Sequence, residues 1–156
     1  MHPPEIFMAT AIQMAKANVD NGGGPFGALI VRGDTIVGRG VNRVTQHNDP
    51  TAHAEVVAIR DACTRLQRFK LEDCVIYTSC EPCPMCLGAI YWAGLSRIYF
   101  AATHRQASEA GFDDSFIYKE IPLAIHERSI PTTQLALENA AAPFVAWIAN
   151  ANRIDY

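Results

Sequence analysis

Cys83 and Cys86 stand three residues apart where a helix begins, and His53, with Glu55 two residues on, stands where an earlier helix begins. Residues i and i+3 share one face of a helix, so the two sulfurs can grip a single metal ion. For His53 to join them, two helix N-termini separated by a long stretch of chain have to meet. Consecutive helices on one face of a sheet, as in a β-α-β-α run, meet that demand. A first helical turn also offers free backbone N–H groups and the positive end of the dipole, which favour thiolate. Pro84 suits such a position, where its missing N–H costs little.

A His/Cys/Cys set holds zinc with one tetrahedral position left open for water, whose pKa falls to about 7. Glu55, in the same first turn as His53, can face that open position and move the water's protons. Other uses of the cysteines compete with this reading. A Cys-x-x-Cys pair serves redox chemistry or half of a structural zinc site, and Cys80 extends the run to a set that also suits an iron–sulfur cluster. Neither a structural zinc nor a cluster needs a carboxylate two residues from a ligand histidine. One catalytic zinc on His53, Cys83 and Cys86 is therefore expected, with Cys80 beside the site but off the metal. Cys63 and Cys74 read as core residues. His2, His47, His104 and His126 have no ligand-spaced partner and read as surface or loop residues.

The rest of the chain supplies the elements. Ile6, Ala9, Ile12, Met14, Ala17 and Val19 recur at helical spacing and predict an amphipathic helix over 5–21, after Pro3-Pro4 and before Gly22-Gly23-Gly24. Runs 26–32 and 35–41 around Gly33-Asp34 predict a hairpin, and 42–51 a polar loop. A helix over 53–67 is expected to bury Val56, Ile59, Ala62, Cys63 and Leu66. A strand at 74–78, a helix over 83–92 stopped by Gly94, and a strand at 97–101 follow. A turn at 111–114, a short strand at 135–137 and a helix over 143–152 complete the chain. The order predicts an α/β fold, a three-layer α-β-α sandwich with a mixed central sheet of about five strands. With 156 residues, 49% of them hydrophobic, the chain suits a single domain over 1–156.

The formal charge is −3. Basic residues concentrate only at 60–70, interleaved with apolar ones like the wet side of a helix, so nucleic acid is not an expected partner. The five cysteines are an odd number. Neither a signal-peptide opening nor a bilayer-spanning run accompanies them, so the reading is a reducing cytoplasm, free thiols and no membrane.

From Gly24-Pro25-Phe26-Gly27-Ala28 through Asn42, over Asn48 to Glu55 and again over Tyr77 to Ala89, the chain resembles the cytidine deaminase-like superfamily. There, H-x-E with P-C-x-x-C marks zinc nucleobase deaminases. Tyr77 to Ala93 and Glu109 to Tyr118, with its Gly111-Phe112-Asp113-Asp114, are most similar to small bacterial guanine deaminases. The resemblance implies hydrolysis of guanine to xanthine and ammonia, a step of purine catabolism. Glu55 would carry a proton from water to ring N3, and Asp114 would serve as a second acid at the departing amine. Asp113 and Asp114 otherwise make a turn that bonds its own backbone.

Asn42 can both donate to and accept from a purine edge, or cap the chain. Phe26 and Trp92 can stack on a flat base, or Trp92 can pack its own helix. Ala54 is a further substrate-binding candidate. The Gly22-Gly23-Gly24 run lacks a following Gly-Lys-Ser/Thr, which suits a free base better than a nucleotide. The resemblance also implies a homodimer that exchanges residues from about 130 onward, with Ser129-Ile130-Pro131 as hinge and Tyr156 reaching the partner's pocket. Rival substrates are tRNA adenosine, cytosine or cytidine, and triazines such as ammeline. A non-catalytic zinc scaffold would have no use for Glu55.

Overall fold

A computed structural model describes residues 3–156, so His2 lies outside the described residues. The elements in order are α1 (Pro4–Asp20), β1 (Gly27–Arg32), β2 (Thr35–Val41), α2 (Val44–His47), α3 (Ala54–Leu66), β3 (Val75–Cys80), α4 (Pro84–Ala93), β4 (Arg97–Ala102), α5 (His104–Glu109), α6 (Ser115–Glu120), a 3-10 turn (Ile125–Glu127) and α7 (Ala142–Ala149). The expected β-β-α-β-α-β order is present. Residues 42–51 are not wholly loop, since α2 falls within them. No helix among the described residues is long and apolar enough to cross a membrane.

The sheet has four strands in the order β2-β1-β3-β4. β1 runs antiparallel to both β2 and β3, and β3 runs parallel to β4, so the sheet is mixed as expected. The fifth strand expected at 135–137 is absent. There the Leu137 N–H bonds back to the Leu135 carbonyl at 3.1 Å, which curls the segment on itself instead of extending it.

Alternate residues of β1 feed two cores. Ala28 and Ile30 pack with Ile76 and with Ala54, Ala58, Ala62 and Ile90 of α3 and α4. Leu29 and Val31 pack on the other face with Tyr77 and with Phe7 and Ala11 of α1. Helices therefore cover both faces, and α3 and α4 share one of them.

The buried sides of these helices differ from expectation. α1 buries Phe7, Ala11, Ala15 and Asn18, leaving Ile6, Ile12 and Val19 exposed. α3 buries Ala54, Glu55, Ala58 and Ala62, while Ile59, Cys63 and Leu66 flank the core only partly buried. Close approach explains the rotation: the helices present their smallest side chains to glycines of the sheet. A Cβ on Gly38 would lie 2.5 Å from the Ala58 carbonyl oxygen, and one on Gly40 would overlap the Ala54 carbonyl. A Cβ on Gly27 would lie 2.5 Å from the Ala11 carbonyl oxygen under α1. Larger side chains at those helix positions would lift the helices off the sheet.

Residues 3–115 and 116–156 form separate compact units. The second holds most of α6, the 3-10 turn and α7, and leaves Ile130, Leu135, Leu137, Phe144, Ile148 and Ile154 exposed.

Gly40→Ala is expected to cost about 3 kcal/mol by forcing α3 away from β2. Gly88→Ala, in an exposed turn of α4 where an added Cβ meets nothing within 4 Å, should instead stabilise by about 0.5–1 kcal/mol. Denaturant titration of both variants checks the contrast.

Candidate metal centre

The N-cap of α3 is His53 and the N-cap of α4 is Cys83, both with extended backbones, and neither side chain bonds to its own helix. Both are thus free to turn toward each other. Cys86 lies one turn into α4 and is buried. The Cys83 and Cys86 Sγ atoms each lie 3.5 Å from His53 Nδ1, and the three donor atoms all fall within 4.8 Å of one another. A tetrahedral zinc with Zn–S near 2.3 Å and Zn–N near 2.0–2.1 Å would hold S and N roughly 3.6 Å apart. The donor set and its spacing fit zinc, held by His53 Nδ1 and the two sulfurs. Cys80 stays outside the cluster, its Sγ 3.7 Å from the Thr103 carbonyl oxygen.

The charges follow the same geometry. Cys86 donates to Cys83, and together with His53 this draws Cys83 down to about 4. Holding the shared proton pushes Cys86 up, and its burial adds to the effect. His53 is raised by its bond to Cys83. Burial pushes the Cys80 thiol up to about 11, which keeps it neutral.

Glu55 is only 5% exposed. Its Oε2 lies 3.3 Å from Cys86 Sγ, at the edge of the donor cluster, and its Oε1 accepts a bond from Thr78 Oγ1 at 3.1 Å. Burial raises its carboxyl pKa, as expected for a carboxylate taken out of water. Asp114 is half-buried and also raised by burial, and it lies close enough to Cys83 and His53 for their charges to act on it. His104 Nδ1 stands 3.9 Å from Asp114 Oδ1. His104 is exposed, as a surface residue is, and the turn at 111–114 brings the carboxylate back to it. Asp113 takes the turn role, its Oδ1 accepting the Ser115 N–H at 2.9 Å.

Asn42 is buried at the end of β2. Its Oδ1 accepts the Val44 N–H at 3.2 Å, while its Nδ2 has no protein partner among the described residues and is not sealed from solvent. Gly24 makes room for this side chain, since a Cβ there would come within 3.0 Å of Asn42 Cγ.

Asn18 braces the same corner. It is 3% exposed and donates from Nδ2 to the Gly24 carbonyl at 2.8 Å and the Asn42 carbonyl at 2.9 Å. Sequence reasoning missed Asn18 and Thr78. A polar residue in register with Phe7, Ala11 and Ala15, one helical turn before three glycines, was a usable signal for the first. Thr78 looked like any β-branched strand residue.

Phe26, Trp92, Ala54 and Tyr156 are the remaining substrate-binding candidates. Phe26 meets Phe112 edge-on at 5.0 Å, so its aromatic partner is Phe112 and not Trp92. Trp92 is 68% exposed on α4, and six residues of helix rotate it by about 120° from Cys86. Ala54, expected at the substrate, is fully buried, because Gly40 packs against its carbonyl. Tyr156 is exposed in the second unit, edge-on to Trp147 at 6.1 Å.

Residues 1–102 match the family model for the cytidine and deoxycytidylate deaminase zinc-binding region. The chain is 55% identical over 153 residues to guanine deaminase of Bacillus subtilis strain 168, covering 97% of this chain and 98% of that protein. It is 38% identical over 102 residues to the tRNA-specific adenosine deaminase of Aquifex aeolicus, covering 65% of this chain and 68% of that one. The X-ray structure of the Bacillus subtilis guanine deaminase superposes with a TM-score of 0.98 at 54% identity over 99% of both chains. A guanine deaminase structure from Nitrosomonas europaea gives 0.70 at 32% identity, over 73% of this chain and 66% of that one.

Metal analysis is expected to find about one zinc per chain, lost in His53→Ala and Cys86→Ala but kept in Cys80→Ala. Chelation should lower the melting temperature of the wild type, because the ion binds only the folded arrangement.

Proposed function

The chain belongs to the zinc-binding cytidine and deoxycytidylate deaminase family, and we propose that within it the chain hydrolyses guanine to xanthine and ammonia. The observation that carries this reading is a buried Glu55 carboxylate with Oε2 3.3 Å from a sulfur of a three-donor zinc set. The near-full-length match to a guanine deaminase supplies the substrate. His53, Cys83 and Cys86 would hold the zinc, which when bound would lower the pKa of a water beside Glu55 to about 7.

The remaining work belongs to side chains. Glu55 takes one proton from the attacking water and delivers it to ring N3, which makes C2 electrophilic. As oxygen bonds to C2, Asp114 protonates the 2-amino group, the C2–N bond breaks and ammonia leaves. The proton remaining on the new oxygen restores the acid, so the products balance. The open Nδ2 of Asn42 donates to the base, Phe26 lies against its plane, and His104 holds Asp114 in place. Tyr156 is assigned to the partner's pocket in the exchanged dimer.

The assembly in this reading is a homodimer that exchanges the second unit. Residues 116–156 expose most of their large apolar side chains, and a unit this small cannot bury a core of its own. A second copy of the chain is the occupant consistent with the resemblance. The cytoplasm suits a protein whose five cysteines are all free.

Ammonia release from a panel of free bases, nucleosides and a short tRNA stem-loop tests the substrate. Turnover confined to guanine supports the reading, and turnover confined to the RNA overturns it. Glu55→Gln is expected to keep its zinc and lose about 10²–10⁴-fold in kcat, and Asp114→Asn to slow turnover with the metal retained. Light scattering should give twice the mass of one chain, with a monomeric mass counting against the exchanged tail.

A further inference from the structure

The geometry points to Thr78 as a positioning residue for the deamination, its hydroxyl fixing the Glu55 carboxylate so that the other oxygen is presented to the metal side of the site. The inference rests on Glu55 being the proton carrier. Thr78 is 1% exposed near the end of β3, paired with Ala28 of β1 on one side and Phe100 of β4 on the other. Its backbone is therefore held from both directions, and β-branching stiffens the side chain.

The hydroxyl bonds Glu55 Oε1 at 3.1 Å and makes no other hydrogen bond among the described residues. Nothing in the sheet uses it. A valine would serve a buried strand equally well without burying a polar group, so the oxygen has its use at the carboxylate.

The two carboxylate oxygens face different neighbours. Oε2 lies beside Cys86 Sγ at 3.3 Å. A cysteine that has given up its proton to bind a metal has none left to donate. Thr78 then remains the only side-chain donor to Glu55 among the described residues. A neutral donor pinned to one oxygen stops the carboxylate rotating, leaves Oε2 for proton transfer and adds no competing charge. A proton carrier has to stay within about 2.6–3.2 Å of the atoms it serves.

The alternative is that the hydroxyl merely satisfies a buried carboxylate as part of the packing. Holoenzymes carrying Thr78→Val and Thr78→Ser separate the two, measured for kcat, KM, bound zinc and melting temperature. Positioning predicts that valine lowers kcat by about 10- to 100-fold, the effect of a lost bond to a charged group. KM and zinc content should stay near wild type, and serine should restore turnover to within a few-fold. Wild-type kcat in the valine variant overturns the inference, as does a loss that serine does not rescue or one that tracks lost zinc. If valine yields no folded, zinc-loaded protein, Thr78→Ala takes its place with the same criteria. Should the wild type act on another base instead of guanine, the same ratios on that base decide the role of Thr78 while the substrate reading alone fails. Full turnover by Glu55→Gln overturns both.

Discussion

The contact between β2 and α3 sets the height of everything above the sheet. Gly38 and Gly40 present no side chain, and Ala54, Ala58 and Ala62 sit directly over them. Because α3 lies this low, its first turn reaches the level where β3 ends and α4 begins. Two helix N-termini then lie close together, their N-cap side chains 3.5 Å apart. Such an arrangement is unfavourable on its own and becomes favourable when negative charge is placed between the ends. Cysteine thiolates at Cys83 and Cys86 would supply it once a metal ion is bound. Neither N-cap side chain bonds to its own helix, which leaves both available to a metal ion.

The sheet holds the opposite wall of the site. Consecutive residues of β3 point to opposite faces and do different work. Thr78 reaches Glu55, while Ser79 accepts the Gly27 N–H at 3.1 Å and ties β3 to the start of β1. Asn18 of α1 clamps the Gly24 and Asn42 carbonyls from below. The buried side chains of Asn18 and Ser79 are thus spent on the corner where Phe26 and Asn42 lie, each with a partner of its own.

The meeting of His53, Cys83 and Cys86 beside Glu55 was legible because metal chemistry restricts residue type and spacing, and helix starts restrict where those residues fall. The hairpin was legible from Gly33-Asp34, and the end of α4 from Gly94 in a left-handed conformation. The buried stripes were not legible because burial here does not follow hydrophobicity. In this fold the distance between layers selects alanine over isoleucine, and that distance depends on glycines in another part of the chain. Thr78 and His104 were illegible for a related reason. Their significance comes from a carboxylate distant in sequence, and no local pattern marks them. The strand expected at 135–137 had only local composition behind it, and the turn that forms there satisfies the backbone without a neighbour.

Every group assigned to the chemistry gathers where β1 starts and where β2 and β3 finish. The Gly33-Asp34 turn lies at the other end of those strands, six or seven residues away, or roughly 20 Å. Gly33 has open space around it. That remote tip offers a handle: a fluorophore, a surface linker or a fused peptide attached there would leave the pocket mouth clear.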